Sequence, residues 1–72
     1  MFVNPIKKNL TEIVTSDKAV LVSYQTPVAA RVNGEYLRTD KFWSITTSKH
    51  INHWLHGQEA EERPQSFFDG LI

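Results

Sequence analysis

Asn33-Gly34 lies between two strand-like runs, "TPVAARV" and "EYLRT", and limits the fold more tightly than any other feature. Both residues tolerate the positive φ of a type I′ turn, and a two-residue loop sets the register of the strands it joins. Val32 then faces Glu35, Arg31 faces Tyr36, Ala30 faces Leu37, Ala29 faces Arg38 and Val28 faces Thr39. Side chains alternate between the faces of a sheet. Val28, Ala30, Val32 and Leu37 are therefore expected on a core face. Ala29, Arg31, Tyr36 and Arg38 are expected on an outer one, where an arginine opposite a tyrosine is a favourable pair.

The hairpin extends in both directions. "AVLVSYQTPVAARV" is rich in valine and reads as one long bent strand, or as two strands split near Thr26-Pro27, because proline cannot donate to a ladder. "LTEIVTS" reads as a strand from Leu10 to Thr15, with a short helix as the alternative, and Ser16-Asp17-Lys18 is turn chemistry. Residues 1–9 suggest a loose arm or a first short element. Asp40-Lys41 resembles a second tight turn, after which "FWSIT" would return as a third strand of the meander.

"TTSKHINHWLHG" changes the period. Ile51, Trp54 and Leu55 recur at i, i+3, i+4, the stripe of an amphipathic helix. The preceding hydroxyls offer an N-cap at Thr47 or Ser48, and Gly57 stands where a left-handed residue ends a helix. The expected architecture is a small α+β domain: an antiparallel β-meander of three to four strands with one C-terminal α-helix packed on the sheet. Ile51, Trp54 and Leu55 would bury against Val20, Val22, Val28, Ala30, Val32 and Leu37.

Seventy-two residues make one domain with a thin core, so a homodimer is expected on size grounds. The absence of cysteine excludes disulfides, thiolate zinc sites and a cysteine nucleophile. No apolar run nears the roughly 20 residues of a membrane span, and a cytoplasmic protein is expected. Net charge is zero but divided. Residues 1–57 carry seven lysines and arginines against four carboxylates, a net +3; residues 58–72 carry one arginine against four carboxylates, a net −3. The expected organisation is a mildly basic domain over 1–57, then an acidic linker and apolar tail over 58–72. In that tail, Phe67, Phe68, Leu71 and Ile72 would dock on their own sheet or on a second subunit.

The chemistry these residues imply is modest. His50, His53 and His56 recur at i, i+3, i+6 without the carboxylate and i+4 spacing of a helical zinc pair, so no metal site is expected. Nothing supplies an orienting acid, an oxyanion hole or a Gly-rich phosphate loop, and neither catalysis nor a cofactor is expected. Two binding surfaces stand out. Thr46, Thr47, Ser48, Lys49 and His50 combine hydroxyls, positive charge and a helix N-terminus, which suits an anion or a small molecule such as a nucleotide. Arg31, Tyr36 and Arg38, with Lys41, Lys49 and one of Phe42 or Trp43, suit a basic, aromatic nucleic-acid face.

"SYQTPVAARV" followed by "TDKFWSITTSKHINHWL" resembles a group of short bacteriophage-encoded domains of unknown function. The shared pattern is an "SY-x-TPVA" strand, then "T-x-K-x-(W/Y/F)-S-x-TTSKHIN" and a helix. It spans about residues 22–55 and matches Tyr24, Thr26, Pro27, Val28, Ala29, Lys41, Ser44, Thr46, Thr47, Ser48, Lys49, His50, Ile51 and Asn52. The resemblance implies a phage source and leaves His53 and His56 outside the pattern. The expected function is that of a small phage accessory protein acting in the host cytoplasm. It would bind a host or phage protein without catalysis, with nucleic-acid or nucleotide binding as the alternatives.

Overall fold

A computed structural model describes residues 2–71. Among them are six strands in one sheet, in the order of the chain: β1 (Phe2–Lys7), β2 (Leu10–Val14), β3 (Lys18–Ser23), β4 (Thr26–Val32), β5 (Glu35–Thr39) and β6 (Glu61–Arg63). Helix α1 (Ile45–Leu55) connects β5 to β6, and α2 (Gln65–Asp69) follows β6. Pairs β1 to β5 are antiparallel, whereas β5 and β6 are parallel. The expectation of three to four antiparallel strands with one helix is thus corrected: the sheet is six-stranded and mixed, and there are two helices. The parallel pair follows from the crossover, because α1 carries the chain back to the end of the sheet where β5 began.

The Asn33-Gly34 turn forms as the sequence requires, with φ of 53° and 81°. Its ladder runs from Val32 opposite Glu35 to Ala29 opposite Arg38. The expected Val28–Thr39 pair is not part of it. The register with β3 shifts between Leu21 and Val22, where Leu21 faces Ala29 and Val22 faces Pro27, so Val28 is an extra residue, a β-bulge. The bulge places Val28 in the same cluster as Ala29 rather than with Ala30. The assignment of Val28 to the face of Ala30 and Leu37 is corrected accordingly.

Both faces of the sheet are covered. On one, Ile51 and Leu55 of α1 bury against Leu10, Leu21, Val28 and Ala29, with Tyr36 and Trp54 at the margin. On the other, Phe68 of α2 buries against Val20, Ala30 and Leu37, flanked by Val22, Val32 and Leu71. The packing expected for α1 against Val20, Ala30 and Leu37 therefore belongs to α2. Phe68 is fully buried and Leu71 packs beside it, so this part of the apolar end docks on its own sheet, whereas Phe67 is exposed; Ile72 lies outside the described residues.

The "FWSIT" strand does not form. Residues 42–44 are irregular and the helix already begins at Ile45. Its N-cap is Ser44, whose hydroxyl accepts from Thr47 N, and not Thr47 or Ser48. The helix ends at His56, which itself adopts the left-handed conformation, with Gly57 next at φ 85°. Among the described residues no helix is long and apolar enough to cross a membrane.

Candidate functional site

Ser23 ends β3 and Thr26 begins β4, so Tyr24-Gln25 is a two-residue loop. Tyr24 takes a φ of 60°. Glycine is the residue that adopts such a first loop position freely, whereas a side chain is strained there. The turn is nonetheless anchored, since Tyr24 N donates to Asn9 O at 2.7 Å from the neighbouring hairpin.

Beneath this loop, Ser23 points to the α1 side of the sheet. Its Oγ lies 2.8 Å from His50 Nδ1 and 3.1 Å from Thr47 Oγ1. All three side chains are buried. Thr47 and His50 are one helical turn apart, so a single strand hydroxyl ties the first two turns of α1 to β3. Burial holds the His50 imidazole below its ordinary value, and the charges of Lys7 and His53 act in the same direction. The ring of Tyr24 sits beside it, with centroids 6.0 Å apart.

A pocket of about 170 Å³ opens above this network. It is lined by the aromatic residues Tyr24 and Trp43, by the hydroxyl-bearing Ser23, Thr26, Ser44 and Thr47, and by Val28. Trp43 is fixed on two sides: its Nε1 donates to Gln65 Oε1 at 3.0 Å, and Lys41 Nζ stands 4.1 Å from its ring centroid. Gln65 in turn accepts from Thr39 Oγ1 and donates to Pro27 O, which joins α2 to the loop carrying Trp43. Phe42 and Ile45, the chain neighbours of the lining residues Trp43 and Ser44, are 70% and 69% exposed, and Tyr24 is half exposed.

The structure divides the five residues of the "TTSKH" surface. Thr47 and His50 turn into the core, Thr46 and Lys49 face solvent, and Ser48 is half-buried. They do not form one anion cradle. The Arg31–Tyr36–Arg38 face is largely roofed by α1. Tyr36 packs edge-on against Trp54, with centroids 5.7 Å apart, and Arg38 Nη1 approaches Asn52 Oδ1 at 3.4 Å. Arg38 Nε is buried without a partner, and Arg31 alone of the three is exposed. His53 and His56 are exposed, and among the described residues no three metal-ligating side chains converge.

Sequence reasoning misses Ser23, Tyr24 and Gln65 as site residues and offers Trp43 only as an alternative to Phe42 on a nucleic-acid face. Tyr24 and Ser44 are among the residues on which the resemblance above was drawn, which was the available signal. A buried serine partner for His50 follows only from the strand–helix packing.

These features define a small two-faced sheet domain with an aromatic-lined pocket where a hairpin turn meets a helix N-terminus. The chain belongs to a family of unknown function (DUF8033), which it matches over residues 1–70. Neither a curated protein nor a solved structure matches it.

Proposed function

We propose that this chain is a small phage accessory protein that acts in the host cytoplasm as a non-catalytic binding module for a host or phage protein. The observation that carries the reading is a run of exposed apolar side chains, Phe42, Trp43 and Ile45, beside a pocket that Trp43 and Ser44 line together with the half-exposed Tyr24. Single exposed apolar residues are ordinary, but a group gathered at one place marks a contact surface. Aromatic residues are also favoured as anchors at such contacts.

Ser23 and His50 have the spacing of a nucleophile and its base, yet their surroundings favour a structural role. A base in acyl transfer must become an imidazolium, normally steadied by an acid. Here burial and Lys7 oppose that charge. Nucleic-acid binding is disfavoured by the roof of α1 over Tyr36 and Arg38.

The test is capture from infected-host lysate with wild type and with a Phe42→Ser/Ile45→Ser double variant verified as folded. A protein retained by the first and lost by the second supports the reading. Equal retention by both removes that run from the contact surface. A second copy of the chain is the other candidate occupant, and light scattering on the purified protein distinguishes it.

A further inference from the structure

We propose that the pocket lined by Tyr24 and Trp43 takes a proline-bearing, extended segment of the partner protein. The assignment rests on the reading of the chain as a protein-binding module and specifies the chemistry of what it binds.

Volume sets the first limit. Sites for nucleotides and other whole small molecules run to roughly 300–1,000 Å³. This one has about 170 Å³, room for a single side chain or ring. Charge sets the second. No charged residue lines the pocket, and the first-turn residues of α1 that Ser44 leaves uncapped, Ile45 and Thr46, are not among its walls. A carboxylate or phosphate would find no cation among the lining residues, Lys41 Nζ being set over the Trp43 ring, and no free helix N–H there.

Hydrogen bonding sets the third. Ser44 Oγ already accepts from Thr47 N, so its own O–H is left to donate, and Thr26 and Tyr24 add further hydroxyls. A proline residue presents a carbonyl to accept and has no N–H of its own to satisfy. Its compact apolar ring suits a small pocket lined by Tyr24 and Trp43, since aromatic-lined grooves are how extended polyproline segments are commonly held.

The pocket is also prepared in advance. Gln65 and Lys41 fix Trp43, and the Ser23–Thr47–His50 network fixes the floor. Tyr24 holds a strained backbone conformation at an exposed turn, where glycine would serve the turn better but supply no wall. A site ordered before binding loses less freedom when its ligand arrives.

The experiment is an amide and indole NMR titration of the full chain with three probes: a capped oligoproline peptide, a glycine-serine peptide of equal length, and inorganic phosphate. Trp43 reports on the pocket, and Trp54, bonded to Glu12 at 2.9 Å, is an internal control. Oligoproline is expected to move the Trp43 indole and Thr47 amide signals and to leave the Trp54 indole in place, while the other probes do neither. Tyr24→Gly removes one wall with a residue that adopts the same φ freely. It is expected to weaken oligoproline binding at least about tenfold while the spectrum stays folded. Thr26→Val, which removes a hydroxyl at constant shape, should weaken it less.

An unmoved Trp43 with oligoproline, equal movement with the glycine-serine peptide, or movement with phosphate would each overturn the proposal. If Trp43 stays unmoved while Phe42→Ser/Ile45→Ser still abolishes partner capture, the proline assignment falls and the binding module stands.

Discussion

Ser23 shows how much one hydroxyl can organise in a domain this thin. Two buried groups from different turns of α1 depend on it. Ser23→Ala would leave Thr47 Oγ1 and His50 Nδ1 short of a partner, at a cost of about 1–3 kcal/mol; urea unfolding should record it. His50 adds a pH dependence. Its value in the folded protein lies below the ordinary 6.5 because burial disfavours the imidazolium. The unfolded chain then binds more protons than the folded one as pH falls below 6.5, so stability rises with pH in that window. The contribution is complete above 6.5 and is lost progressively as pH falls from there to the folded value. A series of melting temperatures between pH 7.5 and pH 5 should therefore decline in the wild type. His50→Asn, which keeps a polar group but does not titrate, should decline less. An equal decline in both would assign the effect to other groups.

At the level of elements, the legible parts were those whose signal is local. Asn33-Gly34 gave its turn and four cross-strand pairs because both residues accept positive φ. The stripe of Ile51, Trp54 and Leu55 gave α1 its buried side. What stayed hidden depends on partners distant in sequence. The Val28 bulge reverses which face one residue joins, and alternation alone cannot report an inserted residue. Glu61–Arg63 has no strand propensity and pairs because α1 delivers it beside β5. At five residues, α2 is too short to display a period. Of the site, the sequence pointed to His50 and Thr47 but not to the serine that joins them. The cap expected at Thr47 or Ser48 lies three or four residues late because Ser44 sits outside the hydroxyl run "TTS". Ser44→Ala is expected to cost about 1 kcal/mol. Thr46→Ala, at an exposed position in the first turn, should be within about 0.5 kcal/mol of wild type. Paired chemical denaturation curves check the contrast.

For the whole molecule, the decisive property is that the sheet has two covered faces and only a small helix covers the second. Val20, Ala30 and Leu37 share one buried phenylalanine, Phe68. A chain of this length has a stability of roughly 4–11 kcal/mol. Phe68→Ala removes about 3–5 kcal/mol by the usual cost of emptying a buried aromatic site, so it should bring the protein close to its unfolding threshold at ambient temperature. Truncation after Gly57 is more severe. It takes away β6, which pairs with β5 along Leu37, Arg38 and Thr39, and uncovers the α2 face of the sheet at the same time. It also removes Gln65, which links α2 to Trp43, Thr39 and Pro27. The truncated chain should lose the dispersed amide spectrum of a folded protein, or associate through the bared face, and its Trp43 should become mobile. If residues 1–57 alone instead gave a folded, monomeric spectrum with α1 in place, β6 and α2 would be an appendage, and the pocket would not need the second face to hold its shape.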